Sequence, residues 1–247
     1  MAYFSSFNNV LYSFGDDHLS IENVFENLTI YSDVIDQVKD NVSFYDKTYI
    51  QEGERPDQLA LRLYDDPSYY WTFYLMNDGI RQQGWPIDQQ QMLETIEEVF
   101  PNFTVTVRED ITKKFDVGRD LIGQTSGARG TIDHKNYDLG QLIIKLDPGS
   151  VDFQVGEIVR STNVSSDVQT AETFGASKEY LAARYYLDGD GDVADFDPLV
   201  GPGALLTEKT YLDTWVEEND NLRQIQVIKP QYLGKLESAF NTAVSEV

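Results

Sequence analysis

The chain has 247 residues, of which 41% are apolar and 13% aromatic. It has no Cys, and its 42 acidic against 19 basic residues give a formal net charge of −23. Such a composition specifies a folded protein with one large core or two modest ones, and it excludes disulfide and thiolate chemistry. Nucleic acid and anionic membrane surfaces are not expected partners, because both require clustered Lys and Arg. No run reaches the roughly 18 apolar residues of a membrane span, and no export signal is expected at the N-terminus.

Residues 1–47 mix aromatic and polar side chains without a sustained period and read as an N-terminal arm. Within it, FENLTIYSDVI suggests a short strand or turn anchored by Phe25, Leu28, Ile30 and Val34. KTYIQ then alternates like a strand, and Glu52-Gly53 supplies a turn. Pro56 suits a first helical position, where its missing N–H costs nothing. PDQLALRLY places Leu59, Ala60 and Leu63 on one side of a helix, and Asp65-Asp66-Pro67 ends it.

SYYWTFYLMND predicts a second helix. Tyr70, Phe73, Tyr74 and Asn77 share one face, while Trp71, Leu75 and Asp78 share the next. A helix apolar nearly all round is buried on more than one side. DQQQMLETIEEVF predicts a third, with Met92, Ile96, Val99 and Phe100 at helical spacing.

These residues resemble the LysM pattern of strand, helix, helix and strand, through Tyr49, Gly53, Leu59-Ala60, Tyr64, Trp71, Leu75 and Asn77. The turn departs from it, reading Gly53-Glu54-Arg55-Pro56. With Gly84-Trp85-Pro86 added, the segment resembles the LysM-like region of a baseplate wedge protein of contractile-tailed bacteriophages of the T-even type. A distant stretch, EENDNLRQIQVIKPQYLGKLESAFNTAV, is similar to that family's C-terminal block.

The resemblance implies an α+β protein with a LysM-like strand–helix–helix–strand core and a C-terminal strand plus helix. It further implies a non-enzymatic structural role in the virion, in a tail baseplate assembled in the host cytoplasm. The expected contacts are a dimeric wedge-core protein, a sheath-initiator protein and hub or tube proteins, joining neighbouring wedges around the hub with no cofactor. A glycan-binding LysM module is the alternative, and a Ca²⁺-dependent adhesin stands third.

From about Ile111 to Thr173 the chain turns rich in Gly, Val, Thr and Asp, with strand-length runs separated by turns. FDVGRDLIGQTSGARGTI and FQVGEIVRSTNVSSDVQT share Phe-x-Val-Gly at an offset of 38 residues, with one gap in the alignment. A duplicated strand–turn–strand unit would close into a small β-barrel or sandwich inserted in the shared core. The expected division is an arm over 1–47, a LysM-like domain over 48–110, an inserted β domain over 111–175 and a C-terminal segment over 176–247 that completes the core.

Chemistry-bearing motifs are few. His18 and His134 are the two imidazoles, and neither stands in a nucleophile or zinc pattern. Abundant carboxylates give no specific glycosidase signal. LDGDGDVADFDP opens like a Ca²⁺ loop with Asp188, Asp190 and Asp192, but Val193 and Leu199 stand where Gly and Glu are required, so a solvated acidic loop is expected.

The mid-helix rings Tyr70, Trp71, Phe73 and Tyr74 are expected to build core first and contact a partner protein second. Ile225 and Val227 alternate in a strand that is either covered on both faces or added to a neighbour's sheet. Tyr232, Leu233, Leu236, Phe240 and Val244 form a stripe on a final helix, and Arg223 is expected to pair with a carboxylate. The interface candidates are therefore Trp71, Tyr74, Trp85, Arg223, Ile225, Val227 and Phe240; no catalytic, cofactor or metal residue is assigned.

Overall fold

A computed structural model describes residues 9–13, 22–26 and 45–238. His18, Leu28, Ile30, Val34, Phe240 and Val244 lie outside these described residues. In chain order the elements are β1 (Asn9–Ser13), β2 (Glu22–Glu26), β3 (Tyr45–Tyr49), α1 (Pro56–Tyr64), α2 (Trp71–Met76), α3 (Asp78–Gln83) and α4 (Gln89–Val99). There follow β4 (Phe103–Val107), β5 (Asp120–Gly123), β6 (Arg129–Asn136), β7 (Gln141–Leu146), β8 (Ile158–Thr162), β9 (Val168–Lys178), β10 (Ala183–Leu187), β11 (Thr207–Thr210), α5 (Tyr211–Asn221) and β12 (Gln224–Ile228). The fold is α+β. The chain divides into two compact units, 1–88 with 219–247, and 89–218.

In the first unit, β1 and β2 form an antiparallel ladder with Leu11 opposite Val24. β3 pairs antiparallel with β12, Thr48 opposite Ile225 and Asp46 opposite Val227. α1 begins where the sequence predicts: Pro56 follows an extended Arg55, whose N–H donates to Gln58 Oε1 at 3.0 Å. It ends on Asp65 in the left-handed region, and Asp66 then caps a 3₁₀ turn, Pro67–Tyr70, by accepting from the Ser68 N–H. Leu59 and Ala60 pack with Ile50, Phe73, Ile80, Ile225 and Val227 in one core.

The second predicted helix is broken rather than continuous. It runs as the 3₁₀ turn, then α2, then a restart at α3, because Asn77 is extended at φ −125° and ψ 102°. Local propensity favours continuation, but Asn77 bonds the distant β12 instead, and that tertiary contact outweighs it. β12 joins the chain's own β3 rather than a neighbour's sheet. Beyond a 3₁₀ turn, Pro230–Tyr232, the chain is helical over 233–238. Leu233 and Leu236 are buried there with Leu75, Met76 and Ile228.

In the second unit, β4-β7-β6-β5-β8-β9 close into an antiparallel barrel. Phe103, Val105, Val107, Phe115, Leu121, Ile132, Leu142, Ile144, Phe153 and Val159 fill it. The Phe-x-Val-Gly repeat is physical. Asp116-Val117-Gly118-Arg119 and Gln154-Val155-Gly156-Glu157 are the same turn, with Gly118 at φ 79° and Gly156 at φ 82°. In the first copy the Gly118 N–H donates to Ile132 O (2.8 Å), and the Ile132 N–H donates back to Arg119 O (2.9 Å). In the second, the Gly156 N–H donates to Thr173 O (2.7 Å) and the Thr173 N–H to Glu157 O (2.9 Å).

The duplicated unit has three strands, not the two that the sequence suggests, and the offset of 38 residues holds through the Phe-x-Val-Gly turns and from β5 onto β8. β5 pairs with β8 with Leu121 opposite Ser161 and Gly123 opposite Val159, so each pair maps onto the other when 38 is added or subtracted. In β4 and β7, which pair with Phe103 opposite Ile144 and Val105 opposite Leu142, the offset is 37, and it carries the core residues Val105 and Val107 onto Leu142 and Ile144. The barrel is thus two copies of a β-β-β unit about a pseudo-twofold axis, β4-β5-β6 and β7-β8-β9. Even the bulges correspond, at Asp133 in β6 and Phe174 in β9.

The symmetry breaks at Arg119 and Glu157. Glu157 is 3% exposed. It accepts from the N–H groups of Thr125, Ser126 and Gln154 and from Ser126 Oγ, fastening the first copy's β5–β6 turn to the second copy. Outside the barrel, α4 buries Met92 and Ile96, and Phe100 packs on Tyr211 and Trp215 of α5.

Candidate docking surfaces

The ring-rich segment of the first unit is a core built from aromatics. Tyr64 stacks on Phe73 (5.8 Å between centroids), Phe73 meets Trp85 (6.0 Å), and Tyr74 meets Trp85 (6.0 Å). Trp85 Nε1 donates to Glu54 O at 2.7 Å, tying the Gly-Trp-Pro segment to the turn before α1. Burial pushes the Tyr64 phenol up to about 12. Burial also acts to raise the Glu54 carboxyl, but the Arg62 guanidinium at 2.7 Å and the Gln51 N–H outweigh it and hold it below the usual glutamate value.

The interface candidates fall in different places. Trp71 is half-buried against Leu75, Met76 and Ile228, and Tyr74 and Trp85 are half-buried against the core around Phe73. Ile225 and Val227 are 2% and 6% exposed and serve the unit's own core. Arg223 is buried as well; its guanidinium meets Asp220 Oδ1 at 3.2 Å and donates to Ile87 O at 3.1 Å, so its carboxylate partner lies within the fold. Phe240 lies outside the described residues.

A groove of about 520 Å³ opens between α3 and the approach to β12, lined by Tyr45, Met76, Asn77, Gly79, Leu222 and Gln224. Its polar lining is chiefly amide, and it offers hydrogen bonds rather than a nucleophile or an acid–base pair. The acidic loop of the second unit is a turn: Asp188 Oδ1 accepts from the N–H groups of Asp190 and Asp192. Among the described residues, no group of three or more His, Asp or Glu side chains could hold a metal ion, and no helix is long and apolar enough to cross a membrane. His134 is exposed, beside Asp133 at 2.9 Å.

Sequence reasoning missed the side chains that do face solvent. Tyr49, Leu61 and Tyr70 are exposed on the first unit, and Val193, Leu199, Val200 and Leu205 on the second. The legible signal for the latter was an aliphatic run inside a Gly- and Pro-punctuated loop, where polar residues are the rule.

No curated protein matches the chain. Residues 3–99, from the strand β1 through α4, match the family model described as base plate wedge protein 53. That match supports a phage baseplate wedge protein with a structural role in the virion tail baseplate.

Proposed function

We propose that the chain is a structural component of the baseplate wedge of a contractile, T-even-like tail, joining neighbouring wedges around the hub through protein–protein contacts. The observation that carries this reading is the family match over residues 3–99. In this proposal the first unit is a LysM-like scaffold, with β3, α1, α2 and β12 as its strand–helix–helix–strand core and the barrel as an insertion. The partners are a dimeric wedge-core protein, the sheath initiator and the hub or tube proteins. No catalysis is part of the role.

Use of the rings as packing supports the scaffold over the glycan-binding alternative. A saccharide platform needs ring faces open to ligand, whereas Phe73 stacks on Tyr64, and Phe73 and Tyr74 both pack against Trp85. Co-expression with the wedge-core protein tests the proposal. Co-purification through size exclusion is expected; separate elution, together with retention of the chain on insoluble cell wall, would overturn it in favour of glycan binding.

A further inference from the structure

The loop between β10 and β11 breaks the rule that loops expose polar residues. Val193, Leu199, Val200 and Leu205 are 67%, 50%, 69% and 91% exposed. The loop is also moored from Asp188 to Gly201, and Val193, Leu199 and Val200 lie on this tied stretch. Leu187 bridges to Val193, and the Ala194 N–H donates to Tyr186 O at 2.9 Å. The Tyr186 ring meets Phe196 edge-on at 5.0 Å. Asp197 Oδ1 accepts from the Leu199 N–H, and Asp197 O accepts from Val200 and Gly201. Gly201 lies so close to Arg108 that a Cβ there would come within 2.8 Å of Nη2. Aliphatic side chains on a backbone already tied down lose little conformational freedom on docking.

Charge states what the loop fits. Between Arg184 and Lys209 the chain carries Asp188, Asp190, Asp192, Asp195, Asp197 and Glu208 and no Lys or Arg. A second copy of this chain would bring those carboxylates together, and an anionic lipid surface would repel them. We infer that this loop is a docking element that seats Val200 and Leu205 in an apolar socket of another baseplate subunit, a socket rimmed by Lys and Arg. The inference rests on the baseplate reading and specifies its partner chemistry.

The test uses the full chain in phage tails, with a photo-crosslinking residue at Leu205 and, as control, at Val164, which is also exposed. Leu205 is expected to crosslink to a different tail subunit at a site flanked by Lys or Arg. Leu205→Asp with Val200→Asp is expected to lower incorporation at least tenfold with Tm unchanged, since both side chains are exposed. Asp190→Asn with Asp195→Asn, two carboxylates that accept no bond in the loop, is expected to cost several-fold and flatten the salt dependence. Normal incorporation of the aliphatic variant, or a crosslink to a second copy or to lipid, overturns the inference and leaves the baseplate reading standing. A chain missing from purified tails overturns both.

Discussion

Asn77 and Gln226, 149 residues apart, bond each other as two strands would. Asn77 Nδ2 donates to Gln226 O at 2.8 Å, and the Gln226 N–H donates to Asn77 Oδ1 at 2.7 Å. The Ile50 N–H donates to Arg223 O, so by antiparallel alternation the Gln226 backbone groups point away from β3. A side-chain amide thus closes the free edge of β12 and, through a third bond from Nδ2 to Phe73 O, ends α2. The unit that carries most of the family match is completed by a strand far outside it.

Asn77→Ala removes three hydrogen bonds and leaves the Gln226 backbone unpaired, a loss of about 2–3 kcal/mol. Asn77→Asp is expected to be at least as costly, because a carboxylate cannot donate to Gln226 O. Chemical denaturation measures the loss, and hydrogen exchange should show the Gln226 amide opening first. Unchanged protection at Gln226 would remove this bond pair from the account of the first unit.

The pseudo-twofold axis predicts matched effects at matched glycines. Gly118 and Gly156 both have positive φ and open space where a Cβ would stand, so Gly→Ala at either costs only backbone strain, about 1 kcal/mol. Gly130 differs, since a Cβ there would come within 2.6 Å of Lys145 O and 2.7 Å of Ile144 Cγ2. Gly130→Ala must displace backbone and is expected to cost several-fold more. Thermal denaturation of the three variants checks the order.

Glu157 supplies a pH dependence. Burial acts to raise its carboxyl, but the bonds from Ser126, Gln154 and Thr125 outweigh it and hold the group below the ordinary value of 4.5. A carboxyl depressed on folding stabilises above its unfolded pKa and loses that contribution as pH falls through the folded pKa. Glu157→Gln should therefore be less stable by about 2 kcal/mol at neutral pH, with the gap narrowing only below about pH 4.5. A gap that stays constant down to pH 3 would contradict this.

Trp85 joins two parts of the aromatic core. Trp85→Phe keeps much of the ring packing on Phe73 and Tyr74 but loses the bond to Glu54 O, an expected cost of about 1 kcal/mol. Trp85→Ala removes both, for about 3–5 kcal/mol. Equal effects from the two would mean that packing contributes nothing at this position.

How much of this was legible depended on range. α1 could be read residue by residue, because Pro56, the Leu59-Ala60 pair and the Asp65-Asp66-Pro67 stop are local signals. The break at Asn77 could not, since its cause lies at Gln226. The barrel repeat was visible through Phe115, Gly118, Phe153 and Gly156, whose roles demand particular residues. Its third strand was hidden, because β4 reads FTVTV and β7 reads QLIIKL and the symmetry lives in register alone. Alternation in Ile225 and Val227 revealed a strand, but period two cannot say whose sheet it joins. Exposure was least legible: an aliphatic residue in a loop reads alike whether it tucks under or, like Leu205, stands in solvent.

Imaging of purified tails with the chain located in the density tests the central proposition most directly. The account predicts the chain in every wedge, bridging adjacent wedges near the hub through protein surfaces. Tails that lack it, or a chain recovered bound to cell-wall glycan instead, would contradict it.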